Sequence, residues 1–250
     1  MKVLSAFAIA IVMTAPVLAT AAEPAGAKNI VIVHGSFVDG SGWRVVHDIL
    51  GLKGYNVSVV HQPQTTLDAN VAAARKIVDQ QTGAVVLVGH SSGGSVVTIA
   101  GSRPKVKALV YVAALVPEVG ESISQLHASM PPLSNSIETN FDGQMYFKRD
   151  KFREDFAADL LPNRTNFMSI SQAPTNFAIT GARTWEAAWH DKPSYAIVAS
   201  DDRALSPALQ RSMYKRAGAK VTELKASHLV YISQPEEVAK VIETAALSVK

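Results

Sequence analysis

A fully apolar run, Val85 to Val88, passes directly into Gly89-His90-Ser91-Ser92-Gly93-Gly94 and then into the apolar stretch Val96 to Ala100. No other passage restricts the fold of this chain as tightly. Four apolar residues bounded by Gly83 and Gly89 read as a buried strand, and the apolar residues beyond the glycines continue as a helix. Between the two the chain must reverse within a few residues. Small residues two positions on either side of Ser91 let the backbone approach itself closely there, and G-x-S-x-G in a strand-turn-helix setting exposes the serine as a nucleophile.

The rest of the chain supplies partners for such a strand. Asn29 to Val33 is a compact β-branched run that ends in His34-Gly35, and Tyr55 to Val60, Val106 to Ala113, Tyr195 to Ser200 and Val221 to Lys225 also read as strands. Helical spacing covers Trp43 to Leu50, Asp68 to Gln81 with Asp68 as the cap, Pro207 to Ala217 and Pro235 to Ser248. Strands that alternate with helices pair in parallel, because each crossover returns the chain to the same end of the sheet. The expected class is therefore α/β, and 250 residues with 48% hydrophobic and 18% charged content suit one such domain. From about Pro117 to Lys192 the rhythm breaks, with Pro131-Pro132, Asn-rich turns and a short alternating segment at Gln144 to Phe147. We read that stretch as an inserted cap, since structureless loops of that length are uncommon in compact domains.

The first residues carry a different signal. Lys2, the apolar run Val3 to Leu18 and the small residues Ala19-Thr20-Ala21 read as a secretory signal peptide over residues 1–21. The run contains Pro16 and is shorter than the roughly 20 residues that cross a bilayer, so no stable membrane anchor is expected after processing. The expected mature domain is 22–250, exported to a periplasm or beyond. The net charge of +3 comes from scattered Lys and Arg with no basic run, which argues against a nucleic-acid partner. Absence of cysteine excludes disulfides, thiolate metal sites and a cysteine nucleophile. No His-x-x-x-His or acidic cluster points to a metal, and the glycine motif lacks the Lys-Ser/Thr ending of a phosphate loop, so no cofactor is expected.

A serine hydroxyl is a weak nucleophile near neutral pH and needs a base, with a carboxylate to orient that base. His228 lies in the loop between the last strand and the last helix, where a base can reach Ser91. The acid should follow the Tyr195 strand, where Asp201 and Asp202 stand together, and their chemistry alone does not separate them. His34-Gly35-Ser36-Phe37 ends the first strand, so the amides of Ser36 and Ser92 are the expected oxyanion donors. His34 and His90 are given no proton-transfer role, and His47, His61, His127 and His190 read as solvated or structural.

These residues together resemble the compact α/β-hydrolases that include plant methyl esterases, hydroxynitrile lyases and their bacterial relatives. The likeness spans nearly the whole mature chain. It rests on His34-Gly35 with Trp43, Gly89 to Gly94, Lys107 to Ala114 running into Val116-Pro117, Ser200 to Arg203 with Pro207 and Gln210, and Ser227-His228 with Pro235. The resemblance implies Asp202, rather than Asp201, as the acid, giving Ser91, Asp202 and His228. It also implies that the cap confers specificity, with Phe37 beside the site and Phe141, Tyr146, Phe147, Trp185 and Trp189 either lining an apolar pocket or forming the cap's own core. Cyanohydrin-cleaving members have Thr at the place of Gly35 and Lys at the place of Leu229, so both positions oppose lyase chemistry. The expected reaction is hydrolysis of a small carboxylic ester through an acyl-enzyme. The alternatives are a cofactor-free lyase or perhydrolase, and a ligand-binding or signalling protein with a retained pocket.

Overall fold

The computed structural model describes residues 25–249, so the leader expected over residues 1–21 lies outside the described residues. Six strands form the central sheet: β1 (Asn29–Val33), β2 (Asn56–Val60), β3 (Val85–His90), β4 (Val106–Val112) and, after the insertion with its own strands β5 (Ile137–Thr139), β6 (Gln144–Phe147) and β7 (Thr175–Asn176), β8 (Ser194–Ala199) and β9 (Lys220–Leu224). Their order across the sheet is β2-β1-β3-β4-β8-β9, and every adjacent pair is parallel. The α/β class and parallel sheet expected from the alternating pattern are thus present.

Burial explains which strand lies where. β1, β3 and β8 are buried along their whole length, as are all residues of β4 except Lys107, whereas β2 and β9 expose Asn56, Lys220, Val221 and Glu223 at the edges. A strand covered by helices on both faces reads as continuous Val, Ile and Leu, and only an edge strand tolerates polar residues on its faces. Alternation then divides the core in two. Ile30, Ile32, Val86 and Val88 pack on one face with Val46 and Leu50 of the Arg44–Leu52 helix and Val238 and Ile242 of the Pro235–Leu247 helix. Val31, Val33, Val85 and Leu87 pack on the other with the Leu67–Gln80, Gly93–Ala100 and Pro207–Arg216 helices.

Several boundaries differ from the sequence reading for physical reasons. Asp68 does not cap its helix: Thr66, with extended backbone at φ −142° and ψ 159°, accepts the Ala69 amide at 3.1 Å, while Asp68 already sits in the first turn. A cap needs non-helical backbone, and only Thr66 has it. The helix after Ser91 begins at Gly93, three residues before its apolar run. A Cβ at Gly93 would lie 2.6 Å from the carbonyl oxygens of both Val33 and His34, so this glycine lets the helix start directly against the end of β1. Trp43 closes a short 3-10 turn, Gly40–Trp43, that precedes the Arg44–Leu52 helix.

The stretch between β4 and β8 folds as helices and the small antiparallel sheet β5-β6-β7. Its aromatic residues Phe147, Phe152 and Phe156 are almost fully buried and join the same core as Phe37. The insertion is thereby packed onto the loops at the carboxyl ends of the strands, where β3 delivers Ser91.

Candidate active site

Ser91 carries the local strain of the turn. Its φ is +52°, a left-handed conformation that costs a non-glycine residue about 1–3 kcal/mol and persists only where its surroundings hold it. Here the Ser91 carbonyl accepts the amides of Gly94 and Leu115, both at 3.0 Å, and its own amide donates to the Ala113 carbonyl at 3.2 Å. The backbone is thus fastened to the loop after β4 while the half-buried side chain stays clear. Ser91 Oγ makes no hydrogen bond to any described residue.

Asp202 follows β8 and is fully buried, whereas Asp201 is exposed. One Asp202 oxygen accepts the amides of Ala204 and Leu205 at 2.9 and 2.8 Å. The other accepts Gln210 Nε2 at 2.8 Å and His228 Nδ1 at 2.6 Å. The two neighbouring aspartates, which their chemistry alone leaves unseparated and of which the resemblance implies Asp202, differ in burial and contact. With Nδ1 donating to the carboxylate, the neutral imidazole of His228 keeps its Nε2 lone pair available to take a proton. Gln210 is itself fixed, donating also to the Leu205 carbonyl and accepting the Ala199 amide.

The loop bearing His228 is held from two sides, by His90, given no proton-transfer role in the sequence reading, and by Asp159, which that reading did not single out. His90, fully buried, donates from Nε2 to the His228 carbonyl at 3.0 Å. Burial, reinforced by the adjacent His228, holds the His90 imidazole well below its usual range, so it remains neutral. Asp159 of the insertion accepts both the amide of Ser227, at 3.0 Å, and its hydroxyl. A second tie joins the insertion to the acid loop: Asp155 accepts Arg203 Nε and the hydroxyls of Ser134 and Ser136, each at 2.7 Å. Burial alone would raise the Asp155 pKa, but these hydrogen bonds together bring it below the usual carboxylate value.

The expected oxyanion donors are adjacent but not both free. The Ser36 amide donates to Ser92 Oγ at 2.9 Å, and the two hydroxyls are 2.9 Å apart. An acyl oxygen that takes the Ser36 amide must therefore displace the Ser92 hydroxyl.

Ser36, Ser91, Ser92 and His228 line one cavity of about 190 Å³, roofed by residues of the insertion. Phe37 and Phe147 line it, as expected, and the Phe156 ring lies 4.9 Å from that of His228. Four aromatic residues do not belong to it. Tyr146 faces a separate surface recess beside Lys148, Trp185 is 39% exposed and Phe141 is 96% exposed. Trp189 is buried in the opposite core cluster, its indole N–H donating to the Pro117 carbonyl at 2.9 Å. Alternation in β6 explains Tyr146: with Phe147 turned inward, its neighbour points away. His127, read as solvated or structural, instead lines the cavity, whereas His47, His61 and His190 are exposed. Among the described residues, no cluster of three or more His, Asp or Glu side chains could hold a metal ion.

A protein-family model described as the alpha/beta hydrolase family matches residues 30–241. The chain belongs to that family. In sequence it is 26% identical over 246 residues to a pyrethroid hydrolase of Sphingobium wenxiniae, with 86% of each chain covered. It is 34% identical over 119 residues to a carbendazim hydrolyzing esterase of a Nocardioides species, which covers 42% of this chain and 49% of the relative. Among solved structures, a polyneuridine aldehyde esterase superposes with a TM-score of 0.75 at 19% identity, covering 86% of this chain and 98% of that one. All three relatives are named as hydrolases or esterases.

Proposed function

We propose that the chain hydrolyses a small carboxylic ester in two steps through an acyl-enzyme on Ser91. The observation that carries this reading is the buried Asp202–His228 hydrogen bond on the histidine that shares a cavity with the strained, unengaged Ser91. His228 Nε2 takes the Ser91 proton as Oγ bonds to the ester carbonyl carbon. The carbonyl oxygen becomes an anion stabilised by the Ser92 amide and, once the Ser92 hydroxyl has turned aside, by the Ser36 amide. Collapse breaks the bond to the alcohol, which leaves with the proton from His228. Water then gives a proton to His228 and its oxygen to the acyl carbon, and the acid departs as Ser91 recovers the proton.

The cavity volume of about 190 Å³ favours a small substrate in this conformation. Lyase chemistry fits poorly, because a Cβ at Gly35 would lie 2.7 Å from Ser91 Cβ and 2.9 Å from His90 Nδ1, and Leu229 is fully buried where lyases place a lysine. On the leader expected over residues 1–21, we place the enzyme outside the cytoplasm. Stopped-flow hydrolysis of 4-nitrophenyl acetate tests the reaction: a burst of one nitrophenolate per chain, absent in Ser91→Ala, is expected, and steady turnover by Ser91→Ala would end the proposal.

A further inference from the structure

Two buried polar atoms contributed by residues of the Ser91 cavity have no hydrogen-bond partner among the described residues: Nδ1 of His127 and Oγ1 of Thr175. Both residues come from the insertion, His127 from the Ile123–Ser129 helix and Thr175 from β7, where it is completely buried. The insertion also brings the apolar Ile123, Met145, Phe147 and Ile179 to this cavity, with Ser124 and Thr180, whose hydroxyls are already bonded to Ser122 Oγ and the Phe177 carbonyl. A buried polar atom without a partner forfeits its hydration and gains nothing in return, so two such atoms in one small cavity are poor packing and a good place for a ligand.

The chemistry of the pair limits what that ligand carries. Burial, with His228 adding to it and Asp202 partly opposing it, holds the His127 imidazole below its usual range, so it stands in the cavity wall uncharged. A neutral imidazole has one donor and one acceptor nitrogen, and a threonine hydroxyl can play either part. Among the described residues, no Asp, Glu, Lys or Arg lines this cavity to compensate a charged substituent.

We infer that His127 and Thr175 form a specificity subsite that receives a neutral hydrogen-bonding group, such as a hydroxyl, carbonyl or amide, on the part of the ester lying beneath the insertion. The inference rests on the proposed ester hydrolysis and adds what the ester carries. A substrate with the group satisfies both atoms, whereas its apolar isostere leaves them unpaired in a closed site, which is the stronger of the two ways a pocket rejects an analogue.

The test compares kcat/KM for two near-isosteric pairs, each corrected for its hydroxide-catalysed rate. One pair varies the acyl part, 4-nitrophenyl 3-hydroxybutanoate against 4-nitrophenyl 3-methylbutanoate, and the other the alcohol part, 3-hydroxyphenyl acetate against 3-methylphenyl acetate. The wild-type enzyme is expected to favour the hydroxyl member of at least one pair by about tenfold, the pair that responds identifying which part lies beneath the insertion. Thr175→Val, which preserves shape, and His127→Phe are expected to bring that ratio towards one, and His127→Gln to restore part of it. No preference in either pair, or a preference untouched by both Thr175→Val and His127→Phe, overturns the subsite. The ester reaction itself would still stand in that case as long as Ser91-dependent turnover persisted, so the two failures are distinguishable.

Discussion

Ser36 and Ser92 expose a conflict within a single pair of residues. Their two amides are the oxyanion donors of the proposed mechanism, yet the Ser36 amide is engaged by the Ser92 hydroxyl at 2.9 Å. Ser92→Ala keeps both amides and removes the competing oxygen. We expect its kcat/KM for 4-nitrophenyl acetate to equal or exceed that of the wild type, and a fall of about tenfold or more would mean that the hydroxyl itself serves the oxyanion. Gly35 makes the complementary case. With Ser91 Cβ and His90 Nδ1 within 3 Å of any added Cβ, Gly35→Thr must shift one of them; we expect a loss of about 1–3 kcal/mol in urea unfolding together with loss of esterase activity. A fully active, equally stable Gly35→Thr protein would contradict the packing described around Ser91.

At the scale of elements, the insertion is tied to both catalytic loops, by Asp155 to Arg203 beside the acid and by Asp159 to Ser227 beside the base. Asp159→Ala frees the Ser227 amide and hydroxyl, loosening the loop that carries His228, while altering no reacting group. We expect kcat to fall about tenfold and Tm by about 2–4 °C, the shift for roughly 1 kcal/mol in a chain of this size. An unchanged kcat would show that the loop holds His228 without the insertion. These ties explain which elements were legible in the sequence. The buried strands were, because Val85 to Val88 and Asn29 to Val33 declare themselves by local composition, and the placement of Ser91 after β3 and of His228 after β9 was, because it follows from chain order. Asp155, Asp159 and His127 were not, since a carboxylate or imidazole of the insertion acquires its role only from groups tens of residues away in the chain. Trp185 and Trp189 misled for the same reason: aromaticity marks a residue for burial or binding, and tertiary packing alone decides which face it meets.

The whole molecule inherits a pH dependence from its buried imidazoles. Burial lowers the pKa values of His34, His90 and His127 in the folded state. Unfolded, each titrates near the ordinary value of about 6.5, so below that pH the unfolded chain binds more protons and stability declines as pH falls. The contribution is complete above about pH 6.5 and is lost below it, at up to about 1.4 kcal/mol per pH unit for each proton so displaced. Asp155, with its pKa lowered, adds a further loss only below the usual carboxylate range of about pH 4. We expect Tm to be level between about pH 7 and 8 and to drop from about pH 6.5 downward, with a shallower drop in His90→Gln; a Tm that rises on acidification to pH 5 would contradict this. In the proposed mechanism three residues distant in the chain act as one nucleophilic unit, and the site and rate of fluorophosphonate labelling, read by peptide mass mapping, test this without a choice of substrate. We expect a single adduct on Ser91 that forms at least about a hundredfold more slowly in His228→Ala. An adduct on another residue, or labelling of Ser91 at an undiminished rate without His228, would contradict it.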